Sequence, residues 1–394
     1  MRIVLANNYT RVTGGADLHC LELAKGLRER GHEVTFIATS DPRNVDKEGV
    51  FLPTIVTRET RAETTGIRAA QVACRAIWNP SAAAATKELL SSFRADVVHV
   101  HKLYPQLSVA PVVVASGRGV PIVQTVHDYE FISASTIDDT GHWLDHDEDR
   151  FSYRALNTLL FGVKRLIHSS RVDNWISVSR STDQAYRKRG IATTVLPNFT
   201  EPFTGELPHF EDRKGVLFIG RLSEEKGLRH VLELPKHLPG LSILVAGDGP
   251  LSNEVQRAAQ LFPCVTYLGK LDRDAVARQL ASARLVVMPS LWREPGPLAA
   301  LEAMAAGTPL IAYDSGGLAE YVADAAAGII VQPSVTLLAN AITSIYDDRE
   351  RWEMLSSSAR DAVQRDHTRS VYLDRLEKLY VDSMESNSHS SHAP

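Results

Sequence analysis

The stretch LVVMPSLWREPGPLAALEAMAAGTPLIA, residues 285–312, contains the pattern that decides the fold. Four apolar residues at 285–288 are followed by a turn rich in proline and glycine, and then by a segment rich in alanine and leucine. A second apolar run follows at 309–312. Short apolar runs of this kind are typical of strands buried on both faces of a parallel sheet, which are joined by a crossover helix. The stretch therefore predicts a strand–helix–strand unit.

The same alternation of apolar runs and helical patterns extends along the rest of the chain. Further strands are predicted at residues 216–219, 242–246 and 265–268 in the second half, and at 3–6, 34–38, 97–100, 122–126 and 175–178 in the first half. Between the two series, residues 197–213 contain three prolines and a glycine, which predicts a linker. We predict an α/β protein of two Rossmann-like domains, at residues 1–200 and 201–367, followed by a terminal helix at 368–385 and a disordered tail at 386–394.

The composition excludes several classes of protein. Of the 394 residues, 44% are apolar and 23% are charged, as in ordinary globular proteins. The apolar runs are shorter than the roughly 18 residues of a membrane-spanning helix. A net charge of −4 without a concentrated basic face argues against nucleic-acid binding. Three widely spaced cysteines and a short N-terminal apolar run predict a cytoplasmic protein rather than a secreted one.

A basic amphipathic stretch at residues 150–171 leaves two interpretations open. Its lysines and arginines alternate with leucine, valine and isoleucine, which favours a helix packed on the core with a basic outer face. The alternative is weak peripheral contact with the inner face of an anionic membrane. The acidic run just before it, Asp145 to Asp149, lacks the spacing of a metal-binding motif and predicts a solvated or acceptor-facing loop. No metal ligands are predicted.

The turn before the helix of the opening stretch carries the first candidate binding residues. Pro297 is suited to the first helical position, and free backbone N–H groups near Gly296 and Leu298 are able to hold a phosphate. Glu294 lies before the helix and Glu302 lies inside it. Both carboxylates are able to accept hydrogen bonds from sugar or ribose hydroxyls. The alternative is an ordinary helix start with two solvated glutamates.

A loop bounded by two glycines, Gly220 and Gly227, follows the predicted strand at 216–219. Its two cations, Arg221 and Lys226, come at the carboxyl end of that strand, which is where parallel sheets bind ligands. Arginine supplies a two-pronged donor and lysine a point charge, so the pair could neutralise a diphosphate leaving group without a metal ion. The alternative is a pair of solvated surface charges.

Together with further motifs, these residues resemble glycosyltransferase family 4, and the resemblance spans nearly the whole chain. The motifs are Glu294-x7-Glu302 with the following Ala-Met-Ala-Ala-Gly-Thr-Pro, Gly220-Arg221…Lys226-Gly227, Ala246-Gly247-Asp248-Gly249-Pro250, Ser315-Gly316-Gly317, Leu196-Pro197-Asn198, Gly14-Gly15-Ala16 and Gln124-Thr125-Val126-His127-Asp128-Tyr129.

The resemblance implies the GT-B fold, in which two Rossmann-like domains face a central cleft and a C-terminal helix crosses back to the N-terminal domain. It also implies retaining transfer of a sugar from a nucleotide-diphosphate sugar of the UDP or GDP type, without a metal ion or another cofactor. The acceptor would be a hydroxyl on a small molecule, a glycan or a lipid-linked group, bound by the N-terminal domain. A sugar-nucleotide epimerase or a phosphorylase on the same fold is the alternative. A nicotinamide-dependent enzyme is disfavoured because the first loop lacks G-x-G-x-x-G.

By this resemblance, Arg221 and Lys226 bind the donor diphosphate, Glu302 binds the ribose hydroxyls and Glu294 faces the donor sugar. Backbone N–H groups near Gly296, Pro297 and Leu298 complete the donor pocket, although Pro297 has no N–H of its own. Many family members have glycine at the position of Pro297 and a large apolar residue at that of Gly296. This departure concerns the fit of the donor sugar.

The resemblance assigns further residues in both halves of the chain. His127 would lie near the reacting sugar, and the loop of Gly14 and Gly15 near the diphosphate or the acceptor. Gly249 would belong to the donor site. Asp272 falls where family members contact the nucleotide base, and capping of the following helix is the alternative for its carboxylate.

Overall fold

The computed structural model describes residues 1–54, 74–75, 77–104, 106–133 and 161–390, in two compact units. Unit 1 comprises Met1–Val178, Thr182–Leu196 and Leu373–Pro394, and unit 2 comprises Ser179–Ser181 and Pro197–Tyr372. The acidic run at 145–149 and residues 150–160 of the basic stretch lie outside the described residues.

Within the described part of the chain, unit 1 is built on a sheet of seven parallel strands in the order β3-β2-β1-β4-β5-β6-β7. The strands are β1 (Arg2–Ala6), β2 (Glu33–Thr39), β3 (Gly49–Leu52), β4 (Val97–Val100), β5 (Ile122–Val126), β6 (Asn174–Ser177) and β7 (Thr194–Val195). The first helices are α1 (Gly15–Glu29), α2 (Pro80–Phe93), α3 (Ala110–Ser116) and α4 (Arg180–Lys188). Every residue of β4 and β5 is buried, as expected of central strands covered on both faces.

Unit 2 contains, among its described residues, a second sheet of six parallel strands in the order β10-β9-β8-β11-β12-β13. The strands are β8 (Val216–Ile219), β9 (Ile243–Ala246), β10 (Val265–Gly269), β11 (Leu285–Met288), β12 (Leu310–Tyr313) and β13 (Gly328–Val331). The helices are α5 (Leu228–His237), α6 (Ser252–Leu261), α7 (Arg273–Ser282), α8 (Leu298–Ala305), α9 (Gly317–Asp324), α10 (Val335–Tyr346) and α11 (Arg349–Asp366). The two sheets confirm the prediction of two Rossmann-like α/β domains.

The strand order changes direction at one point in each sheet, between β1 and β4 in unit 1 and between β8 and β11 in unit 2. In open parallel sheets the loops that leave the two strands beside such a point diverge and leave a crevice at the carboxyl edge. In unit 2 these loops are 220–227 and 289–297, which carry the candidate donor residues. The topology therefore places the two sequence motifs next to each other.

The last helix, α12 (Arg369–Ser390), returns the chain to unit 1, because residues from Leu373 onward belong to that unit. The hydroxyl of Tyr380 lies 2.6 Å from Nδ1 of His99 on β4, and Asn174 Nδ2 donates to the hydroxyl of Ser383 at 2.7 Å. The helix continues to Ser390, so residues 386–390 are helical rather than the disordered tail predicted from their composition. Residues 391–394 lie outside the described residues.

The described end of the basic stretch, residues 161–169, is helical. Val163 and Leu166 are 38% and 71% exposed, so the prediction that its apolar side chains pack on the core is wrong at these two positions. The buried position is His168, whose nitrogens lie 3.0 Å from Gln124 Oε1 and 3.2 Å from the Tyr104 hydroxyl. His168 therefore holds this described segment through hydrogen bonds and through ring contacts with Phe131 and Trp175.

None of the helices in the described ranges combines the length and apolar composition that crossing a bilayer requires.

Candidate active site

The loop after β8 is held against the loop after β11 by a close backbone approach. Gly227 has φ +68°, and a Cβ at this position would lie 1.8 Å from the carbonyl oxygen of Pro289. The N–H of Leu291 donates to the carbonyl of Glu225 at 2.8 Å. Only glycine combines this backbone conformation with this lack of space. We call the point between β8 and β11, where the strand order of unit 2 changes direction, the strand-order switch. The two loops beside it are therefore fixed relative to each other.

Lys226 and Glu294 form an ion pair across these two loops. Nζ of Lys226 lies 2.5 Å from Oε1 of Glu294, and the hydroxyl of Ser290 donates to the same oxygen at 2.7 Å. The Glu294 side chain is only 4% exposed, whereas that of Lys226 is 28% exposed. A buried carboxylate is thus held by a cation whose ammonium group is partly open to solvent.

Arg221, the other predicted cation, has different surroundings. Its side chain is 48% exposed, and its nearest carboxylate is Glu225, with Nη1 and Oε1 3.9 Å apart. Glu225 also accepts a hydrogen bond of 2.6 Å from the hydroxyl of Ser223. Arg221 therefore presents a half-exposed side chain on the same loop as Lys226.

The turn before α8 is shaped by the motif Ser315-Gly316-Gly317. The N–H of Gly317 donates to the carbonyl of Glu294 at 2.6 Å, and a Cβ at Gly317 would lie 2.0 Å from the carbonyl oxygen of Pro295. Asn198 supplies a second tether, because its Nδ2 donates to the carbonyl of Gly296 at 2.7 Å. Two motifs that are distant in sequence therefore set the backbone that carries Glu294.

Helix α8 begins at Leu298, with Pro297 as its N-cap. The prediction that Pro297 occupies the first helical position is therefore wrong by one residue. The backbone of Pro297 is extended (φ −73°, ψ 125°), and its carbonyl accepts from the N–H of Ala300 at 3.2 Å. Leu298 and Ala299 supply the N–H groups at the start of the helix, where no carbonyl of the preceding turn is available.

Glu302 lies on the second turn of α8 and is half-buried. Burial raises the pKa of its carboxyl above the ordinary value, and the positive charge of Arg273 opposes that shift. A desolvated carboxylate gains most from a hydroxyl donor that replaces the lost water.

The remaining predicted donor residues lie on neighbouring loops of unit 2. A Cβ at Gly249 would lie 2.5 Å from the carbonyl oxygen of Leu222, so Gly249 packs against the loop after β8. Asp272 is the N-cap of α7, and its Oδ1 accepts from the N–H of Ala275 at 2.8 Å. Its carboxylate therefore performs the helix-capping role that the sequence left as the alternative, and contact with the base stays a prediction.

In unit 1, Gly14 and Gly15 form the exposed start of α1. Gly14 has an extended backbone, and a Cβ there would meet nothing within 4 Å. Asp17 on α1 holds the loop in place: its carboxylate accepts hydrogen bonds from the N–H of Thr13 at 3.0 Å and from Nδ2 of Asn7 at 2.9 Å. The described packing therefore does not require glycine at position 14. The space next to the start of α1 is open.

His127 follows β5 directly and lies in a cluster of histidines. Its Nε2 is 3.0 Å from Nδ1 of His101, which follows β4, and its ring centroid is 5.1 Å from that of His19 on α1. Burial is the largest cause that lowers the pKa of all three imidazoles, to about 3 for His19. The cluster is therefore uncharged at neutral pH.

Several of these residues were not among the sequence predictions. Asn198, His19 and His101 contact predicted residues that are distant in sequence. Ser290 and Asp17 make local contacts instead, with Glu294 and Thr13, each four positions away. The sequence did contain one signal, since His101 ends a His-x-His pair directly after a predicted strand. Parallel neighbouring strands bring such positions together at one edge of the sheet.

Two parallel α/β units, with paired cations and carboxylates at the strand-order switch of the second, are the arrangement of a GT-B glycosyltransferase. Two glycosyltransferase family models together match most of the chain. The model described as Glycosyltransferase Family 4 matches residues 13–202, and the model described as Glycosyl transferases group 1 matches residues 200–362. The chain belongs to glycosyltransferase family 4 and is a glycosyltransferase.

Relatives are similar over most of their length. The 2-deoxystreptamine N-acetyl-D-glucosaminyltransferase of Streptomyces fradiae is 28% identical over 358 residues, covering 86% of this chain and 84% of that protein. The phosphatidyl-myo-inositol mannosyltransferase of Mycolicibacterium smegmatis is 27% identical over 388 residues, covering 96% and 93%. The crystal structure of Anabaena HepE in complex with UDP has a TM-score of 0.67 at 18% identity, covering 96% of this chain and 99% of that one, which is a likeness of fold.

Proposed function

We propose that the chain is a retaining, metal-independent glycosyltransferase that uses a nucleotide-diphosphate sugar and no further cofactor. The observation that carries the proposal is the Lys226–Glu294 pair, which joins the two loops beside the strand-order switch of unit 2. A cation for a phosphate and a carboxylate for sugar hydroxyls are thereby held side by side on a rigid backbone.

The diphosphate would be bound by Arg221, Lys226 and the start of α8. When the bond between the sugar C1 and the diphosphate oxygen breaks, negative charge develops on that oxygen. The half-exposed guanidinium of Arg221 is able to form two parallel hydrogen bonds with phosphate oxygens, and the first N–H groups of α8 add partial positive charge. This is electrostatic stabilisation of a leaving group by preorganised donors.

The sugar and the ribose would be bound by the two carboxylates. We assign Glu294 to the donor sugar and Glu302 to the ribose hydroxyls. Glu294 is already ion-paired, so a bound donor would share Lys226 with it and place the sugar next to both groups. Gly296 and Gly249 would line the same pocket, and their tethers to Asn198 and Leu222 support fixed positions for them.

Unit 1 would contribute His127 near the reacting sugar, and the loop of Gly14 and Gly15 near the diphosphate or the acceptor. In retaining transfer the acceptor oxygen attacks C1 on the face that the diphosphate leaves, and the acceptor proton passes to a departing phosphate oxygen. The uncharged state of His127 suits hydrogen bonding to a neutral hydroxyl rather than charge pairing with the phosphates.

Similar proteins support the substrate classes. HepE, a structure of similar fold, binds UDP, which supports a UDP-type donor, with GDP as the alternative. One relative glycosylates 2-deoxystreptamine and another a phosphatidyl-inositol, which supports a hydroxyl of a cyclitol-like or lipid-linked acceptor. A lipid-linked acceptor would be reached at the inner face of the membrane, through the basic stretch at 150–171. The family match disfavours an epimerase or a phosphorylase.

A thermal-shift screen tests the proposal. UDP, GDP, ADP and their glucose conjugates are added separately to the wild-type chain and to the variant Arg221→Ala. We expect one nucleotide series to raise the melting temperature of the wild type, because a ligand that binds only the folded state stabilises it. The shift should be smaller in Arg221→Ala, whose side chain is half exposed and makes no close ion pair. No shift with any nucleotide would contradict the proposal.

A further inference from the structure

Three histidines of unit 1 bring their ring nitrogens together at the carboxyl edge of the sheet. His101 follows β4, His127 follows β5, and His19 reaches the same place from α1. One ligand nitrogen from each of the three lies within 4.8 Å of the other two. Three separate elements thus bring imidazole rings together. The contact proposed for His127 with the donor sugar requires neither His19 nor His101, and an ion bound to His127 would compete with that contact.

We propose that His19, His101 and His127 form a binding site for a divalent transition-metal ion of the zinc type. The three rings supply three nitrogen ligands, and the fourth position of a tetrahedral site would be left to water. The proposal goes beyond the glycosyl transfer described above, which needs no metal ion at the diphosphate. It concerns binding alone.

The donor set selects the kind of ion. The group consists of imidazoles only, which suit zinc, cobalt, nickel and copper, whereas magnesium and calcium require oxygen ligands. The adjacent carboxylates are engaged elsewhere: Asp17 holds the loop of Asn7 and Thr13, and Asp128 pairs with Lys102 at 3.0 Å. A hard cation therefore finds no oxygen site in this cluster.

The distances require a small adjustment of His101 and His127 and a larger one of His19, whose ligand nitrogen lies within 4.8 Å of theirs. Nδ1 of His101 and Nε2 of His127 are 3.0 Å apart in a hydrogen bond. With metal–nitrogen bonds of about 2.0–2.1 Å, two ligands of a tetrahedral ion lie about 3.3–3.4 Å apart. A shift of a few tenths of an ångström is needed, and the shared proton moves to the other nitrogen of its own ring. The metal would replace one hydrogen bond by two coordinate bonds.

A second observation concerns the other ring nitrogen of His101. Nε2 of His101 is buried and, among the described residues, has no hydrogen-bond partner. A buried polar atom left in this state costs about 1–3 kcal/mol, so such atoms usually face a water molecule or an ion. His127 is half-buried while His19 and His101 are buried, so the cluster is open to solvent on the side of His127. An ion therefore has a route to the site.

Cobalt(II) tests the site directly, because its visible absorption is intense in tetrahedral nitrogen coordination and weak in octahedral water. The chain is used without an affinity tag and is titrated with cobalt, and zinc is then added to displace it. We expect one cobalt per chain with a tetrahedral spectrum that zinc removes. Absence of that spectrum from the wild type would overturn the proposal.

Two variants locate the ion. His101→Gln and His127→Gln should each weaken cobalt and zinc binding by at least about 10- to 100-fold, the range that loss of even an outer-shell partner causes. His127→Gln changes a half-buried residue and keeps the test valid if the buried His101→Gln fails to fold, which circular dichroism reports. Retention of wild-type affinity in the folded variants would overturn the proposal.

The control addresses two histidines near the C-terminus. His389 and His392 could bind cobalt on their own, so the double variant His389→Gln/His392→Gln is titrated in parallel. We expect its affinity and spectrum to match the wild type, and loss of the spectrum in this variant would overturn the proposal. The readout is metal binding without substrate, so its failure leaves the donor-site proposal untouched.

Discussion

Glu302 is a half-buried carboxylate on α8, and burial raises its pKa. If it accepts hydrogen bonds from ribose hydroxyls, Glu302→Ala should remove a charged hydrogen-bond partner, which is worth about 1.5–3 kcal/mol. The expected loss of nucleotide affinity is about 10- to 150-fold. Isothermal titration calorimetry measures it, with Glu233→Ala, an exposed glutamate on α5, as the matched control. An unchanged dissociation constant in Glu302→Ala would remove this residue from the site.

The Lys226–Glu294 pair has a structural role and a proposed role in donor binding, and two variants separate them. Lys226→Ala leaves the buried carboxylate of Glu294 with its Ser290 hydrogen bond but no cation, which should cost about 1–3 kcal/mol of folding free energy. The double variant Lys226→Ala/Glu294→Gln removes the unpaired charge and should recover most of that loss. Urea unfolding measures both.

Nucleotide affinity should behave differently in the same two proteins. Because Lys226 is assigned to the diphosphate, its removal should weaken nucleotide binding by about tenfold or more in the single and the double variant alike. If the double variant binds nucleotide as tightly as the wild type, Lys226 serves the fold and not the donor.

At the scale of loops and helices, two glycines have different reasons to be glycine. Gly227 has φ +68° and no space for a Cβ, so Gly227→Ala should cost more than the roughly 1–2 kcal/mol of the left-handed conformation alone. Gly14 has an extended backbone and open space, so Gly14→Ala should change stability by no more than about 0.5 kcal/mol. Chemical denaturation of both variants checks the contrast, and equal losses of stability would contradict it.

Central strands were predictable from the sequence, as was the edge strand β10, whereas the other three edge strands were not. The strands β1, β4, β8 and β11 are short apolar runs because both their faces are covered. The edge strand β7 was missed because it has only two residues. The edge strand β3, Gly-Val-Phe-Leu, was missed because a polar loop and no helix separates it from β2. The edge strand β13 was also missed, although its sequence Gly-Ile-Ile-Val is apolar, because it directly follows an alanine-rich helix end.

The candidate site divides in the same way. Arg221, Lys226 and Glu294 were predictable because each follows the end of a predicted strand. The helix cap at Asp272 was foreseen as an alternative, since Asp before a helical pattern is a common N-cap. Asn198 was part of a motif, but its hydrogen bond to Gly296 was not predictable because the two residues are 98 positions apart. The hydrogen bond from Ser290 to Glu294 is local, at four positions apart, and was missed.

At the scale of the whole molecule, buried uncharged histidines make unit 1 sensitive to acid. Burial lowers the pKa of His99 and of His168 from 6.5 to about 3. The unfolded chain therefore takes up protons below about pH 6.5 that the folded unit does not, so stability is lost as the pH falls from about 6.5 towards 3. Each such group contributes about 1.4 kcal/mol per pH unit in that window.

Hydrogen exchange of amides in β4 and β5, measured in urea between pH 7 and pH 4, reports this effect. The variant His99→Gln keeps hydrogen-bonding capacity without titrating in this range. The slope of its unfolding free energy against pH should therefore be smaller by about 1.4 kcal/mol per pH unit, which corresponds to one proton. His237→Gln, at an exposed position on α5, is the control and should keep the wild-type slope. A slope that stays the same in His99→Gln would contradict the explanation.

The central claim is that unit 2 binds a nucleotide diphosphate through protein cations rather than through a metal ion. The direct measurement is calorimetric titration of UDP, and of GDP in parallel, into the wild-type chain in EDTA and again in excess magnesium. The account predicts binding of one of the two nucleotides with the same dissociation constant under both conditions, and weaker binding by Lys226→Ala under both. Binding that requires magnesium, or that Lys226→Ala leaves unchanged, would contradict it.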